Sequence, residues 1–238
     1  MATGENILGM DLSLGHAGFV ELDPRGALVW YAYVSNTASG ASRGANGHRM
    51  PTSKSKDRQV AHMARLVWWE SFLDKEILRP RSPMYVGLED YAYRAESNSA
   101  YQIGELGGMA RILSWFRGAQ LRLHDPLSMK MFATGSGNAE KDEVCASVRD
   151  QWGVDFARFN ASEKNHDVEY DLADAYVAAR MVWTEVELRA GRMKLSDLDA
   201  KRVRVFNRVT KAYPVNLLDR DFIHDPSRAP GNVDKGHE

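Results

Sequence analysis

Four carboxylates stand where an apolar chain has little other use for them. Asp11 lies inside Ile7-Leu8-Gly9-Met10-Asp11-Leu12, and Glu89 closes Met84-Tyr85-Val86-Gly87-Leu88-Glu89; both runs read as buried strands. An unpaired charge in such a strand costs several kcal/mol, so each acid requires a compensating cation. Asp171 and Asp174, in Asp171-Leu172-Ala173-Asp174-Ala175, are three apart and share one face of a helix, where small Ala175 and Ala178 let that face lie close to a sheet. Asp171 by itself also reads as a first-turn cap. Three or four carboxylates without a His/Cys set favour magnesium or manganese over zinc. Two such ions about 3.5–4 Å apart activate water and stabilise the leaving oxygen of a phosphodiester, which is nuclease chemistry. Glycoside hydrolysis needs only two carboxylates and leaves the others unexplained.

The elements that must carry these acids follow from pattern. After the first strand, residues 16–21 alternate toward Leu22, Asp23-Pro24-Arg25-Gly26 is a turn, and residues 27–34 are aromatic and branched. Three antiparallel strands therefore open an α/β fold, a mixed sheet flanked by helices. Asp57 caps a helix whose Val60, Met63, Val67, Trp68, Phe72 and Ile77 recur at helical spacing, so these are expected to face the sheet. The Glu89 strand follows, leaving through Asp90-Tyr91-Ala92-Tyr93-Arg94. Residues 98–116 read as a helix with Ile103, Leu106, Met109, Ile112, Leu113 and Phe116 inward. Its Gly104, Gly107 and Gly108 imply close approach of another backbone, either the sheet or a second subunit. A strand at 120–124, a short helix after Asp125-Pro126, the loop Gly135-Ser136-Gly137-Asn138, a helix over 139–152 and the long helix from Asp171 to about residue 190 complete the core.

With 238 residues, 44% of them hydrophobic, the chain can bury one full core. The net charge of -1, from 31 basic and 32 acidic residues, leaves a polyanionic partner open, because distribution decides it. Residues 35–56 carry Arg43, His48, Arg49, Lys54 and Lys56 with no acid. This composition does not pack a core and reads as a surface loop or as a basic arm on nucleic-acid phosphates. The start of the helix near Lys141 offers free amides as a phosphate seat, although the spacing is not that of a P-loop. Cys145 is the sole cysteine, which excludes an internal disulfide and a Cys-based zinc site and fits a cytoplasmic location. No leader or run of about 18 apolar residues is present, so no membrane association is expected.

The order of these parts resembles the RuvC family of Holliday junction resolvases, in the ribonuclease H-like superfamily. The match runs over residues 7–180, on Ile7-Leu8-Gly9-Met10-Asp11, Val86-Gly87-Leu88-Glu89, Gly104-Glu105-Leu106-Gly107-Gly108, Lys130 and Lys141 with the Gly135–Val144 stretch between and after them, and Asp171-x-x-Asp174-Ala175. The resemblance implies a metal-dependent endodeoxyribonuclease that cuts four-way junctions by paired symmetric nicks, as a homodimer seamed near the glycine-rich helix. It implies two Mg2+ ions per site, with Mn2+ as a substitute: Asp11 bridges, Glu89 and Asp174 each hold one, and Asp171 completes the shell or orients water. It also puts Lys130 and Lys141 on the phosphates, with Ser136, Asn138, Tyr91, Tyr93, Arg94, Arg43, Arg49, Lys54 and Lys56 on branched DNA. Leu12-Ser13 replaces the family's Pro-Gly, and Ala92 stands where relatives carry a base-stacking aromatic. Residues 1–190 form the nuclease domain on this reading, and residues 191–238 a basic extension with a disordered end.

Three other readings remain open on the sequence. A broader branched-DNA nuclease fits the long basic loop. A catalytically silent branched-DNA scaffold would not need four acids. An actin-like kinase also opens with a strand-borne Asp and a hairpin, but would need glycine-rich phosphate loops and a second repeat.

Overall fold

The six residues of β1 (Ile7–Leu12) are flanked by β2 (His16–Leu22) on one side and β5 (Tyr85–Glu89) on the other. The structure is a computed structural model, and it describes residues 5–36, 46–90, 99–159 and 167–227. β1 runs antiparallel to β2, pairing Leu12 with Ala17, and β2 runs antiparallel to β3 (Leu28–Ser35). The turn between β2 and β3 closes with the Gly26 amide donating to the Asp23 carbonyl at 2.8 Å, and Gly26 sits at φ +79°, where a side chain would be strained. β5 is parallel to β1, and β6 (Gln120–His124) is parallel to β5. The three opening antiparallel strands and the mixed sheet match the expectation.

The stretch 35–56 departs from it. Gly47–Arg49 adds a short strand, β4, parallel to β3, and Met50 behind it is only 5% exposed. A single apolar residue anchors an otherwise polar segment. The sheet order is β4-β3-β2-β1-β5-β6. The carboxyl ends of five strands and the start of β2 therefore lie along one edge.

Helices cover both faces. On one lie α1 (Arg58–Phe72) and α2 (Ser99–Phe116); on the other lie α3 (Pro126–Thr134), α4 (Lys141–Trp152) and the long α5 (Asp167–Arg189). Asp57 caps α1 as expected, accepting from the amides of Gln59 at 2.8 Å and Val60 at 3.3 Å. The inward face of α1 is only partly the expected one: Phe72 and Ile77 are buried and Trp68 is partly buried, whereas Val60, Met63 and Val67 are 54%, 56% and 62% exposed and Trp69, Leu73 and Leu78 are buried in their place. The helix is apolar on two sides, and burial of Trp69, the larger side chain, outweighs the other stripe. A π-helical turn, Leu73–Leu78, then shifts the phase of the helix. On α2, Leu106 and Ala110 are buried while Ile112 and Phe116 are each 56% exposed. A Cβ at Gly104 or Gly108 would meet nothing within 4 Å, so packing on the chain's own sheet does not account for these glycines.

α5 lies closer to the sheet than any ordinary side chain permits. A Cβ on Gly9 would be 1.9 Å from the Ala175 carbonyl, one on Gly18 2.2 Å from the Asp171 carbonyl, and one on Gly87 2.8 Å from the Ala178 carbonyl. Three strand glycines thus form the bed of the helix, opposite Ala175 and Ala178. Residues 191–227 return over α3 and β6: α6 (Ala200–Phe206) buries Phe206 in the core, and Ile223 pairs with Leu121 on the outer side of β6. Beneath them Arg122 and Glu185 form a buried pair, the Arg122 Nε donating at 2.8 Å, and Arg122 also donates to the Asp221 and Arg220 carbonyls. Residues 228–238 lie outside the described residues.

Candidate active site

β1 and β5 are parallel neighbours, so Asp11 and Glu89 emerge side by side at the same sheet edge. The glycine bed sets α5 across them, and Asp171 and Asp174 follow. Asp171 does not open the helix. It lies a full turn in from Asp167, 2% exposed, and so cannot act as a cap. The opening turn comes from Asp167 to Tyr170, which the polar residues 160–169 concealed in the sequence.

The electrostatics show that the four acids share one site. Asp11 is held well above the usual carboxylate range, first by desolvation and then by Asp171, Asp174 and Glu89, with Lys141 pulling it down. Burial and then Asp174 raise Glu89 to about 7, against Lys141 and Lys130. Asp174 is raised to about 6 by burial and Asp171, against the same two lysines. Lys130 on α3 and Lys141, the first residue of α4, therefore reach the same field from two helices. All six residues singled out for catalysis are brought together.

His16, at the start of β2, was not anticipated. Its Nδ1 lies 2.5 Å from the Asp171 Oδ2, and this hydrogen bond raises the imidazole pKa. Burial nonetheless keeps the Asp171 carboxyl above its ordinary value. The only signal available in the sequence was the hairpin register, which sets the first residues of β2 beside Asp11. Asp90 was also missed as a brace: the Arg111 Nη2 donates to it at 2.8 Å, and the Tyr213 hydroxyl donates to its other oxygen. Its position directly after Glu89 was the clue.

Other expected contacts are less direct. Ser136 and Asn138 lie in the turn between α3 and α4, where the Ser136 amide donates to the Thr134 hydroxyl at 3.1 Å. The phosphate seat at the start of α4 is already filled by acids: the Glu143 carboxylate accepts from the Glu140 amide at 2.7 Å, and Asp142 shares that first turn. Arg49 at the end of β4 and Lys54 and Lys56 beyond it are exposed, further along the edge from the carboxylates. Arg43, Tyr91, Tyr93 and Arg94 lie outside the described residues.

The donor set fits hard divalent cations. The four acids offer oxygens only, and their raised pKa values reflect burial first and the neighbouring carboxylates second, a cost that a bound cation would relieve. Among the described residues no group of three or more His, Cys, Asp or Glu side chains stands close enough together to hold a metal ion as placed. Among the described residues, too, no helix is long and apolar enough to cross a membrane.

No family model matches the chain. The crossover junction endodeoxyribonuclease RuvC of Hyphomonas neptunium is 26% identical over 144 residues, 60% of this chain and 75% of its own. That of Chlorobium phaeobacteroides is 26% identical over 155 residues, 65% of this chain and 74% of its own. The structure of Thermus thermophilus RuvC superposes with a TM-score of 0.52 at 20% identity, covering 78% of this chain and 96% of that one. The same protein in complex with Holliday junction substrate gives 0.52 at 20%, covering 76% and 93%. The fold is ribonuclease H-like, and the chain resembles RuvC-type resolvases in sequence as well as in fold.

Proposed function

We propose that this chain is a metal-dependent, structure-selective DNA endonuclease that resolves four-way junctions by paired symmetric nicks. One observation carries the reading: Asp11, Glu89, Asp171 and Asp174 share one electrostatic field with Lys130 and Lys141 at the carboxyl edge of a ribonuclease H-like sheet. Two magnesium ions, or manganese in their place, held by the four carboxylates would supply an activated water and stabilise the leaving oxygen. The protein's own groups do the rest. His16 fixes the orientation of Asp171, Lys130 and Lys141 offer positive charge to the phosphates, and the Arg111–Asp90–Tyr213 brace holds the end of β5 behind Glu89.

Residues 1–190 carry the nuclease in this reading, and residues 191–238 form an extension whose described part, up to residue 227, braces it. Arg208 donates to the Ser128 hydroxyl at 2.8 Å and to Asp125, next to the strand end that bears the site. DNA is held by Ser136 and Asn138 near the lysines, by Arg49, Lys54 and Lys56 along the edge, and by Arg43, Tyr91, Tyr93 and Arg94. The partner subunit is a second copy. Val60, Met63 and Val67 on α1, with Ile112 and Phe116 on α2, leave apolar side chains exposed on the two helices that carry Gly104 and Gly108 or pack beside them. Ile112→Glu is expected to yield a monomer in light scattering while the melting temperature stays close to that of the parent, because the position is exposed within one chain.

Cation binding must displace protons. Glu89 and Asp174 sit at about 7 and about 6, so near pH 6 both are partly protonated, whereas a ligand carboxyl must be ionised. Apparent magnesium affinity is expected to rise from pH 5 to pH 7.5 and then level off. Calorimetry at pH 6 in two buffers of different ionisation heat is expected to show release of about one proton or more, falling toward zero by pH 8.5. A pH-independent affinity would place the cation elsewhere.

The functional test is a labelled synthetic four-way junction beside a linear duplex of matching sequence, with magnesium, manganese or chelator. Paired metal-dependent nicks confined to the junction are the expected result. Cutting of both substrates indicates a broader nuclease, and no cutting with any ion overturns the enzymatic reading.

A further inference from the structure

A second feature opens on the same sheet edge as the carboxylates. A groove of about 480 Å³ lies between the turn after β1, the end of β3, the end of β4 and the first turns of α1. Gly15 and Asn36 form one wall, Met50 and Pro51 another, and Ala64 and Arg65 close it from the helix. Backbone hydrogen bonds fix these walls: the Asn36 amide donates to the Gly15 carbonyl at 2.9 Å, and the Met50 amide donates to the Ser35 carbonyl at 3.1 Å. The volume falls in the range that takes small ligands.

Its chemistry is that of a nucleotide seat. Pro51, exposed beside the buried Met50, offers an apolar surface to the face of a base, and the Asn36 amide offers a donor and an acceptor to its edge. Arg65 is half-buried and forms no ion pair among the described residues. Arg49, Lys54, Lys56 and Arg58 are exposed and lie within a few residues of the lining segments in the chain, and the one acid in residues 46–65, Asp57, is engaged as the cap of α1. The rim therefore favours a phosphodiester chain. Position supplies the rest. Strands lie about 4.8 Å apart, so β3 and β4 are roughly 10 and 14 Å along the edge from β1 and Asp11. At about 3.4 Å per stacked nucleotide this separation spans roughly three to four nucleotides, and an unstacked strand, which rises further per nucleotide, covers it in fewer, so the range is about two to four.

We propose that this groove receives an unstacked nucleotide of the bound strand, two to four positions from the phosphate that is cut, and that Asn36 reads its base. The inference rests on the nuclease reading above and adds the source of sequence preference to it. A branch point is a favourable donor, since extrusion costs least where pairing is already lost.

The test uses the full chain carrying Asp11→Asn and four-way junctions with 2-aminopurine at single positions one to six nucleotides from the expected cut. A several-fold fluorescence rise is expected at one position within two to four, because none of the groove's lining residues is aromatic and able to quench an extruded base. Ala64→Trp, at an exposed helix position, either excludes the base or quenches it on contact, so the rise is expected to vanish while junction binding persists. Thr52→Trp, from the exposed loop wall, is expected to do the same without touching the helix. In the chain with Asp11 intact, Asn36→Ala is expected to flatten the cutting preference among junctions that differ only at that nucleotide. No rise within two to four positions, or a rise that survives both tryptophans, overturns the groove and leaves the nuclease reading standing. An Asp11→Asn chain that binds no junction overturns both.

Discussion

Replacing Asp11 with Asn is expected to abolish cutting while leaving junction binding intact. The amide keeps the shape of the carboxyl and removes the one charge that interacts with Asp171, Asp174 and Glu89 together. Loss of a single transition-state stabilising group costs on the order of 10²–10³-fold in turnover, and a carboxylate at the centre of the set should lie at or beyond the upper end of that range. Binding depends mainly on exposed cations and phosphates, which the change does not touch. A third readout separates this from mere damage. Relief of repulsion should raise the melting temperature of the cation-free protein even as magnesium affinity falls. Junction cleavage, gel-shift binding in chelator and thermal melts with and without magnesium make the three measurements. Full activity in the variant, or failure to bind the junction, would remove Asp11 from the centre of the site.

With Gly9→Ala as its peer, Gly18→Ala should be among the most damaging single methyls in the fold. Its Cβ would lie 2.2 Å from the Asp171 carbonyl and 2.8 Å from the Leu172 amide nitrogen, both backbone atoms that cannot swing aside. Overpacking of this kind costs on the order of 3 kcal/mol or more, which for a chain of this length corresponds to a fall in melting temperature of about 6–12 °C. Displacement of α5 would carry Asp171 and Asp174 away from Asp11, so magnesium affinity should fall together with stability. Gly104→Ala supplies the contrast. Nothing among the described residues lies within 4 Å of a Cβ built there, and a helix interior gains about 0.5–1 kcal/mol from Ala over Gly. Equal melting temperatures for the two variants would mean that α5 does not rest on the glycine bed.

Legibility of the sequence varied with the range of the physics involved. Asp11 and Glu89 stood out because an apolar strand tolerates a carboxylate only for a reason, and that reason is local. The hairpin and the Asp57 cap were legible on the same terms. Ala175 and Ala178 gave away a close-packed helix, but the matching Gly9, Gly18 and Gly87 did not declare their partner, since a strand glycine does not say what lies above it. The contact between His16 and Asp171 spans 155 residues and the Arg122–Glu185 pair spans 63, so neither had a sequence signature. On α1 the periodicity was real, yet two apolar stripes competed. Only the burial of Trp69 chose between them.

The pairing of Ile223 with Leu121 bears on how the protein stays apart from its neighbours at high concentration. A six-stranded sheet has two open margins, and each can recruit a foreign strand. At one margin β4 is only three residues long and ends on Arg49, which offers little to copy. At the other, the Leu121 amide donates to the Ile223 carbonyl at 2.8 Å and the Ile223 amide returns a bond at 3.0 Å, so part of β6 is already taken. Shortening the chain at residue 190 would strip that cover, baring an apolar strand edge and exposing the polar groups of Arg122 and Glu185 to competing water. Self-association into strand-paired aggregates, rather than simple loss of a tail, is the failure that such a truncation invites.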